Sequence, residues 1–76
     1  MTIVVRYFAI LRERKGLAQE KIMVAKQVSV EALYLQLFGE HASVGLRFAV
    51  NQTYVSASHL INNGDEVAFL PPLGGG

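Results

Sequence analysis

The chain has 76 residues, enough for one domain around one core, with little room for an enclosed pocket. It is 51% hydrophobic and 17% charged, so its apolar excess must be packed inside or turned towards a partner. A net charge of +1 gives no electrostatic pull towards nucleic acid or an acidic membrane. The absence of cysteine excludes disulfides, thiol nucleophiles and zinc–thiolate sites.

No apolar run reaches the roughly 20 residues needed to cross a bilayer. Arg6 interrupts the first apolar stretch, and nothing like a signal-peptide cleavage site follows. The expectation is a cytoplasmic protein with no membrane and no nucleic-acid partner. Arg6, Arg12, Arg14 and Lys15 gather near the start. They read as a solvated face, with docking on an acidic partner as the alternative.

In chain order, Thr2 to Phe8 reads as a strand, with Ile3, Val5 and Tyr7 on one face and Val4, Arg6 and Phe8 on the other. Ala9 to Lys15 is a short helix stopped by Gly16. Lys21 to Val24 is a second strand, with Ile22 and Val24 sharing a face. Ser29 then offers an N-cap and Glu31 a first-turn negative charge. Val30, Leu33, Tyr34, Leu37 and Phe38 follow at helical spacing, a stripe wide enough to cover a sheet, and Gly39 ends it.

Leu46 to Val50 reads as a strand turning through Asn51 and Gln52 into Thr53 to Val55. Asn62 to Asp65 is another turn. Glu66 to Leu70 is the last strand, with Val67 and Phe69 on one face and Ala68 and Leu70 on the other. The order of elements predicts an α+β domain, one main helix lying across a mixed sheet of four to five strands. Residues 1–70 form that domain and residues 71–76 an extended C-terminal tail.

Self-contained catalysis finds no support. There is no phosphate loop and no Ser-His-Asp signature, and His41 and His59 stand alone without metal-ligand spacing. Asp65 and Glu66 look like turn chemistry and a strand start rather than an acid/base pair. The tail is the unusual segment. Pro71 and Pro72 hold the backbone extended and donate no hydrogen bond, which ends the last strand. Leu73 offers one apolar side chain. Gly74, Gly75 and Gly76 carry none, so this end could thread a channel too narrow for other residues.

At the tip, the α-carboxylate of Gly76 has a reference pKa of roughly 3.5 and is ionised at neutral pH. Activated as an acyl-adenylate and attacked by sulfide, it would become a thiocarboxylate, a compact carrier of nucleophilic sulfur. Glycine suits this because no β-carbon crowds the carbonyl. The plain alternative is an idle, frayed end.

The run Asn63-Gly64-Asp65-Glu66-Val67-Ala68-Phe69-Leu70-Pro71-Pro72, an apolar residue, and the closing Gly75-Gly76 resemble the C-terminus of the sulfur-carrier (small) subunits of molybdopterin synthase. Ala49 to Thr53 with Val55-Ser56 resembles that family's central hairpin. Tyr7-Phe8-Ala9 with Leu11-Arg12-Glu13 resembles its first strand and helix, and Val30 to Leu33 the start of its main helix.

The resemblance implies a ubiquitin-like β-grasp fold and a non-catalytic carrier without intrinsic cofactor. It implies that an E1-like adenylyltransferase, using ATP and Mg, activates Gly76, with Gly75 beside it. It also implies that the tail enters the large catalytic synthase subunit, in a heterotetramer, where the sulfur builds the dithiolene of the molybdenum cofactor. The family's partner surface falls on Phe8, Tyr54, Phe69, Leu70, Pro71, Pro72, Leu73 and Gly74, although Phe69 also suits a core position.

Three features depart from the family's pattern. Gly74 stands where a small polar residue is common, adding about 1 kcal/mol or less to the ordering cost of insertion. Tyr54 and Leu70 stand where Leu and Phe occur. The loop from Glu40 to Gly45 is short. Related readings keep the thiocarboxylate and send its sulfur to thiazole synthesis or tRNA thiolation. Others make the chain a ubiquitin-like modifier joined to lysines through Gly76, or an interaction domain with an idle tail.

Overall fold

The computed structural model describes residues 1–72. Five strands and two helices follow one another as β1 (Thr2–Tyr7), α1 (Ala9–Lys15), β2 (Gln19–Met23), α2 (Val30–Phe38), β3 (Arg47–Val50), β4 (Thr53–Val55) and β5 (Glu66–Leu70). The strands form one sheet in the order β2-β1-β5-β3-β4. β5 runs parallel to β1 on one side and antiparallel to β3 on the other. The outer pairs β1–β2 and β3–β4 are antiparallel. This is the expected α+β sheet, in the β-grasp arrangement.

α2 forms where its sequence demands it. The Ser29 hydroxyl accepts a hydrogen bond from Ala32 N at 3.1 Å, satisfying one of the first-turn donors. At the other end Gly39 takes φ 73°, a left-handed conformation that a residue without Cβ adopts freely, and its N–H bonds Leu35 O at 2.8 Å. Between these caps Val30, Leu33 and Tyr34 are buried, and Leu37 and Phe38 pack at the margin of the same cluster. The sheet meets them with Ile3, Val5 and Tyr7 of β1, Phe48 and Val50 of β3, and Val67 and Phe69 of β5.

Phe69 is the centre of this core. Its ring lies 5.2 Å from Tyr34, 5.9 Å from Phe48, 6.3 Å from Phe38 and 6.4 Å from Tyr7. Three of these four contacts are edge-to-face, the arrangement that the ring quadrupole favours. Phe69 is 0% exposed, which corrects its assignment to the partner surface. The period of two decides the matter: Phe69 shares its face with Val67, and that face meets α2.

α1 is pinned to the end of α2 by cations. Lys15 Nζ donates to Leu37 O at 2.9 Å, satisfying a carbonyl in the helix's last turn, and sits 5.1 Å above the Phe38 ring. Arg14 lies 5.0 Å over the same ring and pairs with Glu40 at 3.2 Å. Arg14 and Lys15, read as part of a solvated face, therefore also cover aromatic surface.

Strand limits shift in three places. Phe8 leaves β1 to become the N-cap of α1, at φ −127° and ψ 152°. β2 starts two residues earlier than expected and ends at Met23, because its register follows β1, with Arg6 opposite Gln19 and Thr2 opposite Met23. β3 begins at Arg47 rather than Leu46, whose N–H bonds Ser43 O instead.

The β3–β4 turn places Asn51 at φ 52° and Gln52 at φ 69°, the pair of left-handed residues that a two-residue hairpin needs to match strand twist. Asn51 also ties the hairpin to the start of β5. Its Oδ1 accepts from Glu66 N at 3.0 Å, and its Nδ2 donates to Asp65 Oδ1 at 3.0 Å. Asp65 Oδ2 accepts from Asn62 N at 2.8 Å, the turn role expected of it.

Three outcomes follow. Phe69→Ala should cost about 3–5 kcal/mol, much of the roughly 4–11 kcal/mol available to a chain of this length, read as a lower urea midpoint; a loss below about 1 kcal/mol would put Phe69 outside the core. Ser29→Ala should cost about 1 kcal/mol by the same measurement, and an unchanged midpoint would mean the cap contributes nothing. The third concerns Tyr7, whose hydroxyl donates to Glu20 Oε2 at 2.6 Å. Burial, then the hydrogen bond to Glu20 and its charge, raise the Tyr7 pKa well above the ordinary tyrosine value. Its contribution is thus complete below the unfolded-state pKa of about 10 and is lost as pH rises above it. Unfolding midpoints should fall above pH ~10, less steeply in Tyr7→Phe; parallel curves would contradict this.

Candidate functional site

The face of the sheet opposite α2 is only partly polar. Outward residues of four strands meet in one row across it: Arg6 of β1 opposite Ala68 of β5, Ala68 opposite Ala49 of β3, and Ala49 opposite Tyr54 of β4. The two alanines lie side by side with larger residues on either hand, so the row sinks in the middle. The result is an open depression of about 240 Å³ lined by Arg6, Phe8, Ala49, Gln52, Tyr54, Glu66, Ala68 and Leu70.

A second, wider groove of about 530 Å³ adjoins it at the end of β5, sharing Phe8, Tyr54 and Leu70 and adding Ala9, Gly45, Arg47, Pro71 and Pro72. Its lining is mostly carbon. Tyr54 is the most exposed aromatic here, with 63% of its surface open. Concave apolar faces of this kind are where small domains meet partners.

Charge is sparse and ordered. Arg6 lies 5.5 Å over the Phe8 ring and 3.7 Å from Glu66, an exposed pair of the kind worth less than about 1 kcal/mol. Arg47 lies 4.7 Å over the Tyr54 ring. Among the described residues Arg47 has no carboxylate within salt-bridge distance.

β5 carries the chain into this face. Leu70, opposite Arg47, is its last residue, and Pro71, with no N–H, ends the ladder. Pro72 then lies beside Gly45. A Cβ on Gly45 would stand 3.5 Å from Pro72 Cγ, and the backbone there is at φ 92°, where a side chain is strained. Gly45 thus suits its backbone angle, and the root of the tail passes it at ordinary van der Waals distance.

The structure therefore brings together Phe8, Tyr54, Leu70, Pro71 and Pro72 of the expected surface and removes Phe69 from it. Leu73, Gly74, Gly75 and Gly76 lie outside the described residues. His41 and His59 are both exposed. No helix among the described residues is long and apolar enough to cross a membrane.

Sequence reasoning missed Arg47, Ala49, Ala68 and Gly45 as parts of the site. Alternation along β5 does place Ala68 and Leu70 on this face. However, Ala68 and Ala49 become neighbours only through the β5–β3 register, which no local signal encodes.

The ThiS family matches residues 5–76. The chain is 38% identical to the molybdopterin synthase sulfur carrier subunit of Escherichia coli, with 97% of this chain and 99% of that one aligned. It is 35% identical to the subunit of the same name from Chlamydomonas reinhardtii, with both chains covered in full. Its fold matches SAMP1 from Haloferax volcanii over the whole of both chains, with a TM-score of 0.81 at 21% identity, a likeness of fold alone. The chain belongs to the ThiS family and is related along its full length to molybdopterin synthase sulfur carrier subunits.

Proposed function

We propose that the chain carries sulfur for molybdopterin synthesis on the carboxylate of Gly76, as a non-catalytic subunit whose chemistry is completed by partners. The observation that carries this reading is the end of β5. A strand held between two neighbours in the sheet runs into Pro71 and Pro72 at the edge of an open apolar face, in a chain related throughout to sulfur carrier subunits.

The reaction sequence runs through two partners. An E1-like adenylyltransferase binds ATP and Mg. A Gly76 carboxylate oxygen attacks the α-phosphorus, pyrophosphate leaves, and an acyl-adenylate forms. A hydrosulfide-equivalent sulfur attacks the carbonyl carbon and AMP leaves, so the product, after loss of a proton, is a thiocarboxylate. The tail then enters the large synthase subunit, where the thiocarboxylate sulfur attacks a pterin precursor and displaces an oxygen leaving group; water then cleaves the acyl–sulfur bond, leaving the sulfur on the pterin and restoring the Gly76 carboxylate. Gly74 and Gly75 keep the approach narrow, while Phe8, Tyr54, Leu70, Pro71 and Pro72 form the surface that docks. The setting is cytoplasmic.

Incubation with an E1-like enzyme, MgATP and a sulfur source should shift the intact mass by the exchange of one oxygen for sulfur, and deletion of Gly76 should abolish the shift without lowering the melting temperature. An unchanged mass under conditions that charge a known carrier would contradict the reading. Lysine-linked adducts in native extracts would make the chain a modifier. Recovery of a thiazole synthase or a tRNA thiolase in place of the large subunit would change the acceptor. Phe8→Ala should weaken binding to the large subunit by about tenfold or more and leave the melting temperature within a few degrees. Equal binding by mutant and parent would remove Phe8 from the docking face.

A further inference from the structure

Among the described residues, this face carries a charge with no opposite partner. Among the described residues that line the wider groove, Arg47 is the charged one. The neighbouring depression holds Arg6 and Glu66, which offset each other at 3.7 Å. Among the described residues the combined surface is thus apolar with one uncompensated cation, placed where Tyr54, Leu70, Pro71 and Pro72 converge.

Arg47 is also held in place. Its guanidinium lies 4.7 Å over the Tyr54 ring, a cation–π stack that restricts a long side chain before any partner arrives. A guanidinium stacked by one face keeps its in-plane N–H donors available, and their fork matches a carboxylate. Tyrosine and arginine together are the residue types that dominate binding energy at interfaces.

We propose that this face docks a segment of the large synthase subunit that presents one Asp or Glu carboxylate to Arg47. A neighbouring apolar side chain of that segment fills the depression floored by Ala49 and Ala68. The inference rests on the carrier reading above and names the chemistry of its partner. Arg47 acts as the charge anchor, and Tyr54 positions it. Burying the carboxylate at an apolar surface strengthens the pair relative to water, and a partner lacking it would leave the guanidinium desolvated and unpaired, which supplies selectivity.

The test is calorimetric titration of the full chain into the large subunit from the same organism. Arg47→Ala should weaken Kd tenfold or more, and Arg47→Lys should recover only part of the loss, since an ammonium keeps the charge without the planar fork. The affinity of the parent should fall with added salt more steeply than that of Arg47→Ala. A scan of Asp→Asn and Glu→Gln in the large subunit should find one change whose effect is largely absent in the Arg47→Ala background. Binding of Arg47→Ala within twofold of the parent, or Arg47→Lys equal to the parent with no such acidic residue found, overturns this inference alone. Failure of the parent chain to bind the large subunit overturns the carrier reading and this inference with it.

Discussion

The structure depends on one strand doing two jobs by virtue of its two-residue period. β5 lies between β1 and β3, so both of its edges are occupied. Val67 and Phe69 point into the core and are 0% exposed. Ala68 and Leu70 point the other way and build the floor and wall of the open face. A slip of one residue in register would exchange the two sets, placing Phe69 in water and Ala68 in the core. The Asn51–Asp65–Glu66 hydrogen bonds hold against such a slip by fixing where β5 begins relative to the β3–β4 turn.

This arrangement explains how so small a domain keeps an open apolar face without weakening itself. The aromatic cluster around Phe69 is closed on the helix side and needs nothing from the opposite face. The groove is made instead by subtraction, from two alanines among larger residues, and its walls are side chains with little role in the core. Substitutions on the two faces should therefore act independently, since they share a backbone but few contacts. The tail benefits as well: it starts from one of the best-anchored positions in the sheet, so its root has a defined direction at Pro71 and Pro72.

Much of this was legible in the amino-acid sequence, for physical reasons that differ by element. α2 was readable because its cap, its apolar stripe and its terminal glycine agree. Asn51 and Asp65 were readable because their side chains perform turn chemistry locally. The start of β2 is hidden because it is an edge strand, and Gln19 and Glu20 carry no apolar signal. The face of Phe69 followed from alternation with Val67, yet the resemblance to known carriers assigned it to the surface; burial against Tyr34 and Phe48 decides for the core. The depression itself was illegible. It exists only because the β5–β3 register sets Ala68 beside Ala49, and the Arg47–Tyr54 stack exists only because β3 and β4 pair.

The most direct measurement of the account is site-specific photocrosslinking to the large synthase subunit. A photoreactive side chain in place of Tyr54, on the open face of the sheet, should capture the large subunit. The same group in place of Ala32, exposed on α2 across the domain, should not. Capture through Ala32 and none through Tyr54 would contradict the proposal that the outward face of β5 and its neighbours is where the chain docks.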